Sequence, residues 1–406
     1  MKPSDVPYVT RDIAGTGGRM RAQIDDFRVD EIPLYAPSGS GEHLYVTIEK
    51  RGLSTMDAAD RLARALRLKR VAVGFAGLKD ARAVTTQTFS LCGVDDRALD
   101  DFAADGMRVV GVTRHRNKLQ RGHLAGNRFV IRVRDARPGS SADAERVLAV
   151  LAKRGVPNAF GEQRFGRDGQ THRLGRALLE PRAEAFVAIL FGCGDVARED
   201  ALRRALDAKD VDAVRATVGA LGRAERYALE DLVRSGGDCD AVVRRFDKAL
   251  KALYASAFQS ELFNEVLRRR FREFDRLIDG DLAWLHRNGA VFVVDDPRAE
   301  AARVDAFEIS PSGPLVGSRM TWPRAAALEL ERSVLADAGI DDAALTRLPL
   351  PGARRPLRIP VTGVECRADG ADLVVAFALP AGAYATTVMR EIMKTESVDS
   401  AVSVDE

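Results

Sequence analysis

A carboxylate set among bases, amides and aromatic rings is the chemistry this chain offers most openly. Asp80 lies in the connection AGLKDAR, between the short apolar run 71–75 and the Val- and Thr-rich run 84–91. A glycine-containing connection can present a charged side chain rather than pack it. Lys79 precedes it; Arg21, Asp26 and Phe27 form a second group, and Asn127 and Phe129 a third. An ionised carboxylate can act as a nucleophile or as a base. A neighbouring cation orients it, an amide hydrogen-bonds backbone or ligand, and a ring stacks on a planar group. Singly, each residue also has a structural use: Phe27 and Phe129 in a core, Asp80 capping a turn or pairing with Lys79 or Arg82.

Other chemistries lack a foothold. The run Gly15-Thr16-Gly17-Gly18 has neither the spacing nor the lysine of a phosphate loop, and no GxGxxG, HExxH or GxSxG occurs. The cysteines at 92, 193, 239 and 366 include no CxxC, and the five histidines are dispersed. Neither a disulfide framework nor a zinc site is therefore expected.

The segments that must position these residues read as mixed α/β. Residues 43–50, HLYVTIEK, alternate Leu44, Val46 and Ile48 against Tyr45 and Thr47, the period of a strand with one covered face. The spacing of Ala59, Leu62, Ala63 and Leu66 predicts a helix over 55–68, with Ser54 or Thr55 as cap. Segments 71–75, 84–91 and 129–134 predict strands. Beyond about residue 140 the texture changes. A helix is expected at 144–153, then the turn GVPN and the block FGEQRFGRDGQ. From 176 to about 270 the pattern is helical, clearest at 211–218, 225–233 and 247–269, with a glycine break at 236–240. The run AFVAILFG, 185–192, suits a buried helix. Strands are expected at 290–294 and 373–377, a loop at 313–323 and a helix at 387–394. The expected class is α+β: a mixed-sheet domain made of 1–154 and 309–406, interrupted by a largely helical lobe at 155–308.

With 406 residues, 46% hydrophobic and 30% charged, the chain can bury a sizeable core. Its amino terminus, MKPSDVPYVTRDIAG, lacks the apolar core of a secretory signal. No stretch approaches the about eighteen apolar residues of a membrane span, so a cytoplasmic protein is expected. Net charge is only +3, but its distribution is uneven. Eight basic residues (108, 114, 116, 118, 121, 128, 132 and 134) occur between 108 and 134 with no acidic residue among them. A second cluster holds Arg61, Arg64, Arg67, Lys69 and Arg70. Two such local fields favour a polyanion over a merely solvated face.

The ordered blocks IDDFRVDEI (24–32), GEHLYVTIEKRGLST (41–55), VGFAGLKDARAVTTQTFS (73–90), NKLQRGHLAGNRF (117–129), GVPNAFGEQRFG (155–166), QSELFNEVLRRR (259–270), SGPLVG (312–317) and LPAGAYATTVMREIMK (379–394) span nearly the whole chain. In this order they resemble the TruD type of tRNA pseudouridine synthase, which modifies uridine at tRNA position 13. The resemblance implies a pseudouridine-synthase catalytic domain of circularly permuted topology with a helical insertion. It makes Asp80 the catalytic residue and gives Arg21, Phe27, Lys79, Asn127 and Phe129 supporting or substrate-binding roles. No cofactor and no metal are implied. The partner is tRNA, and a monomer is expected.

On that reading Asp80 acts at the ribose, by attack on C1′ or by removal of a sugar proton. Phe27 or Phe129 would stack on a flipped uracil, and Asn127 would hold the Asp80 loop. The basic clusters would hold phosphates, with the helical lobe as the opposite wall of a cleft. Residues 160–167 would lie at the hinge, and around QSELFNE the residues Phe258 and Leu262 would face inward. The chain departs from the family pattern at Ile24, at Ala159 and at Arg21, where lysine is usual; these bear on positioning and substrate preference. The alternatives are a synthase acting on another RNA and a non-catalytic RNA-binding or folding-assistant protein.

Overall fold

The computed structural model describes residues 6–395 except 100, 101, 103, 167, 168, 220, 348 and 349. The chain divides into two units, one made of Tyr8–Val156 with the segment from Ile359 onward, the other of Pro157–Arg358 with Val6 and Pro7.

The first unit is built on an eight-stranded mixed sheet. Its strands in chain order are β1 (Phe27–Pro33), β2 (His43–Arg51), β3 (Val73–Phe75), β4 (Val84–Cys92), β5 (Met107–His115), β6 (Leu124–Val133), β7 (Thr362–Asp369) and β8 (Asp372–Pro380). They lie in the order β7-β8-β6-β1-β4-β2-β5, with β3 on β4. Among the described residues only β1 and β4 pair in parallel; the other pairs of this sheet are antiparallel. Both ends of the chain thus meet in one sheet. Three helices belong to it: α1 (Thr55–Ala65), α2 (Ser141–Arg154) and α3 (Ala385–Met393). Ala58, Ala59 and Leu62 of α1 pack with Leu44, Val46, Ile48 and Phe89. Val147 and Leu151 of α2, with Val388 and Ile392 of α3, share a second core with Phe129, Ile131, Val375 and Phe377. Burying each such Val, Leu, Ile or Phe side chain contributes about 1.5–3 kcal/mol. Ser54 caps α1 by accepting from Asp57 N. The buried carboxylate of Glu391 on α3 accepts from Val9 N, Thr10 N and Thr10 Oγ1, tying the start of the unit to its end.

The second unit is largely helical. Among the described residues seven helices run from Thr171–Ala177 to Lys248–Arg269, and all eight residues of the AFVAILFG run are buried in Glu184–Gly192. Phe258 and Leu262 face inward on the long last helix. A four-stranded sheet follows, in the order Ala353–Pro356, Ile309–Leu315, Leu282–Leu285, Val291–Val293.

This sheet corrects two expectations. Residues 313–315 are strand rather than loop, despite Pro311 and Pro314. The return to the first unit comes at Ile359, not at 309. The reason is pairing: Ile309–Leu315 is bonded to both Leu282–Leu285 and Ala353–Pro356. The buried Arg354 guanidinium fixes the arrangement by donating to Glu331 and to Ser312 O. Residues 160–166 also lie inside this unit. Phe160 N and O both bond the Asn264 side chain, and Arg164 Nε donates to Ser260 Oγ. Arg167 lies outside the described residues.

Candidate active site

Strand alternation collects most of the singled-out residues on one face. Phe27, Val29 and Glu31 point the same way from β1, and Asn127, Phe129 and Ile131 from β6. Their registers pair Val29 with Phe129 and Glu31 with Asn127. Phe129 also sits opposite Phe377 of β8. The Phe27 and Phe129 rings meet edge-on at 6.2 Å, and Phe129 and Phe377 lie 5.5 Å apart.

Arg21 reaches this face from the segment before β1. Arg19 and Arg134 exchange two backbone hydrogen bonds of 2.8 Å, laying that segment along the end of β6. The buried Asp26 carboxylate then takes both Arg134 Nε and Nη2, at 2.8 and 2.7 Å. Asp26 is therefore a brace, not a reacting group. Between these anchors Arg21 has φ +59°, the left-handed region, which costs a non-glycine residue on the order of 1–3 kcal/mol. What it gains is position. Its guanidinium lies 4.0 Å over the Phe27 ring, and Nη2 donates to Asp80 Oδ2 at 2.9 Å. Asp80 is half exposed while Arg21 is 10% exposed. Oδ1 of Asp80 has no partner among the described residues, so one carboxylate oxygen is fixed and the other is available.

The loop carrying Asp80 joins β3 to β4 and is held at successive backbone atoms. Gln87 Nε2 donates to Gly77 O at 3.3 Å. Lys79 N donates to Thr55 Oγ1 at 2.8 Å, and that hydroxyl donates to Gln87 Oε1 at 2.8 Å. Lys50 Nζ donates to Asp80 O at 3.3 Å and to Leu53 O. The Lys79 ammonium turns the other way, into a buried ion pair with Glu31 at 2.6 Å.

Arg21 and Asp80 lie together as expected, while Lys79 pairs with Glu31 rather than Asp80; three other expectations change. Asn127 does not hold the Asp80 loop: its Oδ1 is buried without a hydrogen-bond partner among the described residues. Phe27 and Phe129 offer no open ring face for stacking, since both are core residues and Arg21 covers Phe27. The loop is held instead by Thr55, Gln87, Glu31 and Lys50. Composition gave no reason to single out these four: three are 25 or more residues from Asp80, and Gln87 sits within a strand that reads as ordinary.

The basic stretch is also less free than its composition suggests. Arg108 pairs with Glu49, Arg114 with Asp96, Arg128 with Glu365, Arg132 with Asp369 and Asp372, and Arg134 with Asp26. Arg116, Lys118 and Arg121 have no carboxylate partner among the described residues. Elsewhere, Glu42, His43 and Cys92 bring potential ligand atoms within 4.8 Å of one another. The Cys92 thiol donates to Glu42 Oε1 at 3.3 Å, and this bond pushes its pKa up, so the group is satisfied as it stands.

The family model described as tRNA pseudouridine synthase D (TruD) matches residues 4–392. The chain is 46% identical to tRNA pseudouridine synthase D of Geobacter metallireducens over 393 residues, covering 95% of this chain and 97% of that protein. It is 44% identical to the Geobacter sulfurreducens protein of the same name, covering 96% and 97%. A crystal structure from Methanosarcina mazei, described as a putative tRNA pseudouridine synthase D, superposes with a TM-score of 0.80 at 27% identity over 96% of each chain. Ordered motifs, mixed sheet and site geometry therefore agree with one assignment: this chain belongs to the TruD family, tRNA pseudouridine synthase D.

Proposed function

We propose that this protein isomerises uridine to pseudouridine in tRNA, at position 13, with Asp80 as the reacting carboxylate. The observation that carries the reading is the Asp80 geometry inside a full-length family match: a half-exposed carboxylate with one oxygen held by Arg21 and the other available, on a loop pinned at Gly77, Lys79 and Asp80.

The reaction breaks the C1′–N1 bond and forms a C1′–C5 bond. The proton leaves C5 and N1 gains one. Reactant and product are isomers, so neither an oxidant nor a reductant enters. Asp80 works at the sugar through its available oxygen, as nucleophile on C1′ or as base for a ribose proton. Arg21 fixes its orientation, which is the kind of preorganisation that lowers a barrier without cost at the moment of reaction. Arg21 Nε and Asn127 Oδ1, a donor and an acceptor buried without partners, suit a polar ligand such as a uracil edge or a ribose hydroxyl.

The cations left without carboxylates mark where phosphates are held. Lys118 Nζ donates to Val71 O at 2.5 Å, and Arg121 lies over the Phe75 ring at 5.6 Å, a ring it shares with Arg70, which is paired with Asp60. Gly122 N donates to Ala76 O at 2.8 Å, so this basic loop abuts the chain that leads directly to Asp80. Among the described residues no helix is long and apolar enough to cross a membrane. The four cysteines are free, which suits a reducing compartment such as the cytoplasm.

Release of tritium from tRNA labelled at uridine C5 tests the reading, with the modified position mapped by primer extension. Wild type releases tritium and marks position 13. Asp80→Asn lowers the rate by at least about 1,000-fold, within the range a positioned acid–base group supplies, and still binds tRNA. Product from a clean D80N preparation would remove Asp80 from its role, and marks at other positions would reassign the target.

A further inference from the structure

Lys50 lies near the end of β2, between β4 and β5, and is fully buried. A lysine there is costly, because an ammonium loses its water shell and is compensated only by polar contacts that fit. Its contacts are two backbone carbonyls, Leu53 O and Asp80 O. The first belongs to the turn between β2 and α1, the second to the catalytic loop. No carboxylate lies within ion-pair distance of it among the described residues. A purely structural residue at this point in β2 has no need of charge: Val46 and Ile48 of the same strand pack as hydrocarbons.

We propose, resting on the pseudouridine-synthase reading, that Lys50 is a positioning residue for Asp80, clamping the carbonyl of the reacting residue and placing a fixed positive charge behind its carboxylate. Two cations then bracket Asp80. Arg21 holds the side chain from the front, and Lys50 holds the backbone from inside the fold. Lys79, the cation next to Asp80 in sequence, is occupied by Glu31.

The charged groups facing Lys50 are Asp80 and Lys79 of the loop and Asp57 of α1. Opposite it on β4 and β5 stand Thr85 and Met107, which do not titrate. Burial pulls the Lys50 pKa down to about 8, with Asp80 and Asp57 pushing it up and Lys79 pushing it down. Two opposite pH trends follow. Below pH 8 the ammonium is present, and so is its burial penalty. As pH rises through 8 the amine becomes neutral, so this group's contribution to stability improves while its support of Asp80 is lost. A rate that falls through unfolding cannot show that combination.

Single-turnover tritium release and tRNA affinity, measured against pH for wild type, Lys50→Met and Lys50→Arg, test the proposal. Methionine fills the space without donors. K50M is expected to bind tRNA as wild type does and to react about 10- to 100-fold more slowly, the cost of a misplaced reacting group. The wild-type rate should fall as pH rises through 8, and K50M should lack that fall. Ionisation of uracil itself affects all three proteins equally. K50R keeps its charge throughout, so it too should lack the fall while retaining more rate than K50M. The proposal is overturned by a folded K50M as fast as wild type, by the same pH limb in all three proteins, or by rate loss that only tracks lost tRNA binding and thermal stability. Should K50M not fold, K50R decides: an intact limb in that variant overturns the proposal. A wild-type protein that releases no tritium would instead overturn the function itself, and the positioning role with it.

Discussion

Glu31 and Lys79 show how residue-scale roles can differ from sequence adjacency. Lys79 drew notice because it precedes Asp80, yet its ammonium is spent on Glu31, with both side chains almost wholly buried. Glu31 Oε1 also accepts from Thr88 N at 3.3 Å. Removing one member strands the other charge in the interior, so Glu31→Leu should destabilise the fold by about 3–5 kcal/mol. Lys79→Met should cost a similar amount, and the double variant E31L/K79M less than the sum of the two. Urea unfolding of the four proteins checks this, and additive losses would show that the pair is not coupled. Asp80 itself was legible, since a charge in a glycine-containing connection stands out. Lys50 was not. In HLYVTIEK it reads as the polar end of an alternating strand, and only the buried surroundings of β2 reveal it as interior.

At the scale of elements, α1 does more than cover the sheet. Its first residue, Thr55, is the acceptor for Lys79 N and the donor to Gln87. The cap at Ser54 fixes where that first turn begins, so helix start and catalytic loop share one anchor. Thr55→Val keeps shape and removes the hydroxyl, leaving Lys79 N–H and Gln87 Oε1 buried without partners. Each such orphan costs about 1–3 kcal/mol. T55V should therefore lower the melting temperature and, through the loosened loop, lower kcat with little change in KM; unchanged kcat would confine Thr55 to a stability role. Elements with one clean period were legible: β2, α1, β8 and the long helix Lys248–Arg269 all lie close to their expected spans. β1 was not singled out, because Phe27, Val29 and Glu31 share a face and the glutamate interrupts the apolar pattern. Its partner Lys79 comes from 48 residues away, a pairing no local window contains.

For the whole molecule, the existence of two units was legible from texture, but the second boundary was not. Residues 309–358 carry strand character like the first unit, and only their pairing partners assign them to the second. Charge shows the same contrast between composition and arrangement. A stretch with eight basic residues and no acidic ones looks like one continuous phosphate-binding stripe, but the acidic partners come from elsewhere in the chain and neutralise Arg108, Arg114, Arg128, Arg132 and Arg134. What survives is the loop with Arg116, Lys118 and Arg121, joined to the β3 region through Lys118 to Val71 O and Gly122 N to Ala76 O. Each phosphate released from counterions by a cation lowers the logarithm of affinity by about 0.7–0.9 per decade of salt. Arg121→Gln and Lys118→Gln should each weaken tRNA binding and reduce that salt slope by about one phosphate equivalent. Arg108→Gln, which removes the same charge from a residue already bound to Glu49, should leave the slope nearly unchanged. Titrations of tRNA at several salt concentrations separate the cases. Equal slopes for R108Q and R121Q would mean that the field of the whole stretch, rather than the unpaired loop, holds the RNA.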